Sequence, residues 1–216
     1  MMDKVSETVA KILLELNAVT LNSKKPFRYA SGILSPVYTD CRVLMAYPEK
    51  RRLIRDLYIE AIDKSGVKFD VVAGTATAGI PHAAWIADKL SLPMVYVRGR
   101  AKDHGKENLM EGIIKNGQKA IVIEDLISTG ESATNSVNAV RNAGGTISHV
   151  FAIITYGMQK AADSFKENNL KLISLTSFQD VVEIAKKMGY IKEDEIDLIL
   201  EWIKNPPAWG KKTGFV

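Results

Sequence analysis

Two adjacent carboxylates, Glu124 and Asp125, follow the apolar run Ile121-Val122-Ile123 and precede Leu126-Ile127-Ser128-Thr129-Gly130-Glu131-Ser132. The run predicts a buried strand, and the small hydroxylated segment predicts a turn that opens a helix. A helix N-terminus presents unpaired N–H groups and partial positive charge, which together seat a phosphate. Ser128, Thr129 and Ser132 add hydroxyl donors, and Gly130 lets the backbone approach an anion closely. The two acids repel phosphate. Acids at a strand end instead accept hydrogen bonds from the neighbouring hydroxyls of a ribose. A capped helix with solvated acids is the plainer reading of a Ser-Thr-Gly turn, and two acids directly after a buried strand weigh against it. The Gly-Lys-Ser/Thr ending of a Walker loop is absent, which argues against a kinase.

Basic residues cluster between positions 98 and 106, where Arg98, Arg100, Lys102, His104 and Lys106 alternate with Gly99, Ala101, Asp103 and Gly105. In an extended ribbon, a period of two places all five on one face. Such a ribbon suits a polyanion, although a solvated connection tolerates the same alternation. Gly74-Thr75-Ala76-Thr77-Ala78-Gly79-Ile80-Pro81 follows another apolar strand, and its small side chains expose backbone N–H groups as a second phosphate site. His82, just inside the next helix, reads more readily as a packing or capping residue than as a catalytic one. Phe27 to Asp40 is rich in Ser, Gly, Pro and Tyr and predicts short strands and turns.

These segments resemble the type I phosphoribosyltransferases, and the flanking motifs narrow the likeness to the orotate phosphoribosyltransferases, from about Phe27 to Gly157. The resemblance implies transfer of a phosphoribosyl group from phosphoribosyl pyrophosphate (PRPP) to orotate, giving orotidine 5′-phosphate and pyrophosphate in pyrimidine biosynthesis. It implies that Glu124 and Asp125 hold the ribose hydroxyls and that Leu126, Ile127, Ser128, Thr129, Gly130, Glu131 and Ser132 surround the 5′-phosphate. Thr75 and Ala76 fall in the pyrophosphate loop, and Arg98, Lys102 and His104 in a catalytic loop that reaches into a neighbouring subunit's site, so a homodimer is implied. Lys102, His104 and Asp125 become the expected catalytic residues, and Ser128, Ser31, Gly32 and Tyr38 the expected orotate contacts. Magnesium is the expected cofactor, held mainly by substrate oxygens, with Asp125 reaching it through water and no side chain as direct ligand.

The chain departs from the family pattern at several points. Glu131 stands where glycine is frequent, Gly99 where many members carry lysine, and Thr77-Ala78 where some have a Tyr-Lys pair. Ala30 and Thr155-Tyr156-Gly157 stand where some members have a lysine and an arginine, which leaves Lys24, Lys25 or Arg28 to meet the orotate carboxylate. Two rival readings remain open on the sequence: a sister transferase acting on a purine or uracil, and a non-catalytic regulator that senses PRPP and binds nucleic acid. Against the regulator, the chain shows neither a spare helix-turn-helix module nor an aromatic-basic stripe.

The elements that position these residues follow from periodicity. Asp3–Asn17 predicts an amphipathic helix, and Pro48–Ser65 a second, stopped by Gly66. Strands are predicted at Phe69–Ala73, Leu92–Val97, Lys119–Ile123, Ile147–Thr155 and Lys171–Leu175, with helices at Ile80–Leu90 and Glu131–Asn142 between them. Apolar strands alternating with helices predict an α/β fold, a Rossmann-like parallel sheet covered on both faces, with ligands at the carboxyl ends of its strands. One domain is expected, with a hood over about 18–45, a core over about 48–176 and a helical tail over about 178–216. Two short helices are predicted over Phe178–Trp202, ahead of a Pro206–Gly210 tail.

The 216 residues are 46% hydrophobic and 25% charged, a globular composition. The net charge of +4 suits a polyanionic small molecule. No apolar run reaches membrane-spanning length, and neither a membrane nor a nucleic-acid partner is expected. The lone Cys41 reads as packing, and with no signal-peptide core at the N-terminus a cytoplasmic location is expected.

Overall fold

The computed structural model describes residues 2–99 and 109–215. The chain opens with α1 (Lys4–Glu15), then the hood strands β1 (Val19–Leu21), β2 (Phe27–Arg28), β3 (Leu34–Ser35) and β4 (Val37–Thr39), and a 3-10 turn, Cys41–Ala46. The core contains α2 (Pro48–Ser65), β5 (Val71–Thr75), α3 (Gly79–Leu90), β6 (Met94–Val97) and β7 (Met110–Glu111). It continues through β8 (Lys119–Ile127), α4 (Glu131–Asn142), β9 (Thr146–Thr155), α5 (Gln159–Glu167) and β10 (Lys171–Ser177). Three helices follow: α6 (Phe178–Lys187), α7 (Ile196–Lys204) and α8 (Pro206–Lys212).

The six-stranded sheet runs β10-β9-β8-β5-β6-β7 and is parallel except at the β6–β7 edge. The predicted α/β sheet is therefore present, with one antiparallel edge strand that a two-residue run could not announce. Alternation along the strands sends Val72, Ile121, Ile123, Phe151 and Ile153 to one face, beneath α1, α2, α3 and α6. Val71, Ala73, Val122, Val150 and Ala152 go to the other, beneath α4 and α5. The hood consists of two antiparallel ladders, β1–β4 and β2–β3.

Two boundaries differ from expectation in ways that bear on the site. Strand β8 runs on to Ile127, so the two acids lie within the strand and not after it. Its neighbour β9 is long enough to pair Glu124 with Ala152 and Ile127 with Thr155, whereas β5 pairs only as far as Ile123. Beyond Ile123, β8 thus has a partner on one side and an open flank on the other. The second difference is that α5 is a regular helix where the sequence placed no element, while α8 lies within the expected helical tail.

Candidate active site

Glu124 and Asp125 are consecutive residues near the end of β8, with their carboxyls close enough to interact. Glu124 is 4% exposed. Its carboxylate accepts from the Ser132 hydroxyl at 3.0 Å and from the Asp125 N–H at 3.2 Å, while the Tyr58 hydroxyl donates to its carbonyl at 2.6 Å. Burial pushes the Glu124 carboxyl well above the ordinary range, and the neighbouring Asp125 adds to the shift. Burial also raises Asp125, with hydrogen bonds from Glu124 and the backbone opposing it. Among the described residues neither acid sits in an ion pair, and Arg42, itself paired with Asp40, is a cation whose charge reaches Asp125. Two acids this far withdrawn from water and without an ion-pair partner are expensive to ionise, and a polyhydroxyl or cationic ligand relieves that cost.

The turn that follows begins α4 at Gly130, which sits at φ +81° and supplies no side-chain cap. A Cβ there would lie 2.9 Å from the Phe165 ring, so glycine is needed for both backbone and space. The first-turn N–H groups of α4 are left for an anion. Leu126 and Ile127 belong to the strand, and Ile127 offers its carbonyl to the Tyr156 N–H at 2.8 Å. Glu131 is exposed, as its charge requires beside a phosphate seat. Ser132, expected as a phosphate donor, directs its hydroxyl at Glu124. With the acids inside the strand, the first turn of α4 lies over the Glu124 side chain.

On the open flank, Gly79 brings the start of α3 against β8; a Cβ at this position would stand 2.5 Å from the Ile123 carbonyl oxygen. Thr75 is buried and its hydroxyl has no partner among the described residues, while the Ala76 N–H donates to the Val97 carbonyl at 2.8 Å. That N–H is thus unavailable to a pyrophosphate, which leaves the Thr75 hydroxyl as the unsatisfied group at the strand end. A cavity of about 650 Å³ is lined by Thr75, Ala76, Arg98, Ser128, Thr129 and Asn135, among others. Arg98 is half-buried, with Nη1 3.4 Å from the Glu111 carboxylate. Lys102 and His104, like Arg100 and Lys106, lie outside the described residues. His82 is buried against Trp85, and burial depresses its imidazole to about 4, so it is a neutral packing residue as expected. Cys41 is likewise buried, and its thiol is pushed up by burial.

Ser128 and Thr129 also border a second cavity of about 430 Å³, walled by Tyr29, Tyr156, Met158 and Trp202. Its aromatic rings interlock edge to face: Tyr29 and Trp202 at 6.1 Å, Tyr156 and Trp202 at 5.5 Å. Hydrogen bonds fix each ring, from Trp202 Nε1–H to the Leu34 carbonyl at 3.0 Å, from Tyr29 to Val37 at 2.8 Å and from Tyr156 to Thr39 at 3.0 Å. The phosphate turn therefore divides a polar cavity from an aromatic one.

A family profile described as "Phosphoribosyl transferase domain" matches residues 44–189. The chain is 50% identical to an orotate phosphoribosyltransferase of Coxiella burnetii, over 93% of this chain and 96% of that protein. It is 47% identical to the Listeria innocua protein of the same name, over 96% and 99% respectively. This chain belongs to the orotate phosphoribosyltransferase family. The solved orotate phosphoribosyltransferase of Aeropyrum pernix superposes with a TM-score of 0.73 at 29% identity, covering 85% of this chain and 99% of that one. Membership makes the chain an enzyme, and the regulator and the purine or uracil transferase lose their footing.

In this orotate phosphoribosyltransferase, the residues expected around the sugar gather at one turn, whereas those expected around the base do not share one cavity. Ser128 borders the aromatic cavity as expected, but Ser31 and Gly32 line a neighbouring one with Arg28 and Gly210. Tyr38 is 45% exposed and packs on Phe27, because Val37 takes the inward position of β4 and alternation turns the next residue out. Lys24, Lys25 and Arg28 do not line the aromatic cavity either; Lys24 lies 4.0 Å from Glu195, and Arg28 donates to the Gly32 carbonyl at 3.2 Å. Tyr29, Tyr156 and Trp202, which wall this cavity, were not singled out in the sequence, since the aromatic walls come from three distant stretches of chain.

Proposed function

We propose that this enzyme transfers the 5-phosphoribosyl group of PRPP to a ring nitrogen of orotate, releasing pyrophosphate and forming orotidine 5′-phosphate. One observation carries the reading: an acid pair, Glu124 buried and Asp125 half-buried, directly adjoins an uncapped helix N-terminus between a polar and an aromatic cavity. The α4 turn takes the 5′-phosphate, and Asp125 and Glu124 accept hydrogen bonds from the ribose hydroxyls. Ser132 holds Glu124 in position from behind. Arg98 and the Thr75 hydroxyl lie on the polar side, where pyrophosphate would sit, and planar orotate stacks on the aromatic side.

Orotate attacks C1 of the ribose through a ring nitrogen as the C1–O bond to pyrophosphate breaks, through an electron-poor, oxocarbenium-like centre. No covalent nucleophile is required. Catalysis consists of aligning the two reactants across the turn and neutralising charge on the leaving group, to which each donor contributes roughly 2–4 kcal/mol. The acid pair, in no ion pair among the described residues, fits a hard, oxygen-seeking cation. Asp125 would hold magnesium through its water shell, and the ion would supply charge neutralisation on pyrophosphate. Lys102 and His104 would add donors from the loop over 98–106, contributed by a second subunit. Support for a homodimer comes from Tyr38, Met45, Tyr47 and Leu53, large apolar side chains 40–45% exposed along one stretch of chain. The single buried cysteine agrees with a cytoplasmic enzyme.

The test is spectrophotometric. Protein, magnesium, PRPP and orotate should show the absorbance change of orotate conversion. Turnover with a purine or uracil and none with orotate would refute the assignment.

A further inference from the structure

Orotate carries a carboxylate, and the positions where a cation was expected to meet it hold Ala30 and Thr155-Tyr156-Gly157. Tyr156 is buried, and its hydroxyl donates to Thr39. We infer that Lys160, at the rim of the aromatic cavity, binds the carboxylate of the base, and that α7 and the start of α8 form the wall against which the base ring packs. The inference rests on the orotate reading above and adds to it the residue that selects a carboxylated pyrimidine.

The cavity's own chemistry leads there. At about 430 Å³ it lies within the range of small-molecule sites and shares Ser128 and Thr129 with the sugar-phosphate turn. The Trp202 N–H and the Tyr29 and Tyr156 hydroxyls all donate to protein oxygens. The walls therefore offer ring faces and apolar surface, and an anionic group must be met at the rim. Two cations stand there, Lys160 and Lys204. Lys204 lies 2.9 Å from Glu201, which Lys212 also approaches at 2.7 Å, and the two lysines hold that carboxyl down at about 2. Lys204 thus already has a counter-ion. Lys160 makes no hydrogen bond or ion pair among the described residues. It occupies the second position of α5, whose first turn has no side-chain cap, so the helix end adds to the positive potential around the same ammonium.

The wall on the other side is anchored over long range. Trp202 in α7 bonds to Leu34 in the hood, and Trp209 in α8 donates to the Leu198 carbonyl at 2.8 Å. Pro206 and Pro207, at the start of α8, complete the cavity rim. The last two helices thus close a site whose phosphate turn lies some seventy residues earlier in the chain.

Initial rates of Lys160→Met, Lys160→Arg and Lys204→Met test this, with orotate and PRPP varied in turn. Losing one charge-assisted contact should raise the KM for orotate by roughly 10- to 100-fold in Lys160→Met. The KM for PRPP should stay within about twofold and the melting temperature should not move, because the side chain is exposed. Lys160→Arg should restore most of the orotate affinity, and Lys204→Met should leave it near wild type. A wild-type KM for orotate in Lys160→Met, or a rise found only in Lys204→Met, overturns the inference. Wild-type protein that binds PRPP but is inert with orotate refutes the reaction itself, a distinct result that takes this inference with it.

Discussion

Gly79→Ala places the smallest possible wedge between the two halves of the sugar-phosphate site. The new Cβ would stand 2.5 Å from the Ile123 carbonyl oxygen and 3.3 Å from the Glu124 Cα, both backbone atoms that cannot rotate away. Real Cβ atoms keep at least 3.0 Å, and ordinary contact starts at 3.4 Å. The start of α3 and strand β8 must therefore separate by about 0.5–0.9 Å. That shift moves the Thr75–Ala78 loop relative to the acid pair, the two groups that must grip one substrate together. A misplacement approaching 1 Å at a reacting centre costs about 10²-fold, so kcat should fall by roughly 10- to 100-fold. Overpacking should also lower stability by about 1–3 kcal/mol. The control is Gly66→Ala, at φ +68° with open space around it, where backbone strain of about 1–2 kcal/mol should lower stability and leave kcat unchanged. Orotate turnover and urea unfolding on both variants separate the effects. If Gly79→Ala keeps wild-type kcat, or loses no more activity than Gly66→Ala, the argument that this contact sets the site's spacing is refuted.

Further expectations follow from the buried titratable groups and from the loop. The Glu124 carboxyl is raised by burial, so the folded chain holds its proton to higher pH than the unfolded chain, and stability falls as pH rises from 4.5 through the folded-state value. Glu124→Gln should therefore raise the melting temperature at pH 8 while weakening PRPP binding, and the thermal gain should shrink toward pH 4.5; a gain that grows on acidification contradicts this. His82 behaves oppositely: with its pKa depressed from 6.5 to about 4, the unfolded chain binds the proton first, and stability is lost as pH falls through that window. The loss should be on the order of 3 kcal/mol. His82→Gln should flatten that part of the pH–stability curve with activity near wild type, and a large fall in kcat would give His82 a role in the chemistry. Lys102→Ala should lose roughly 10²–10³-fold in kcat. Mixing it with Asp125→Asn should recover part of the activity if the loop serves a neighbouring subunit, and mixtures no better than either parent would count against sharing.

The sequence by itself determined the alternating strands and helices, the acid pair with its Ser-Thr-Gly turn, and the family. These signals are local: a buried strand reads as a short apolar run, and a helix start reads from a handful of adjacent residues. It also identified His82 as a packing residue and α2 from Pro48 to Gly66. Helix α5 escaped because Gln159–Glu167 buries only Ala161 and Phe165, too few for an apolar face to stand out. Tertiary structure decided where β8 ends, since its last four residues are held by β9 alone and nothing in their own types marks that. It turned the Ser132 hydroxyl toward Glu124. It also assembled the aromatic cavity, joining Leu34 to Trp202 across 168 positions. Pairings at that separation leave no periodic trace in the chain, because they depend on how the hood and the last helices close over the sheet.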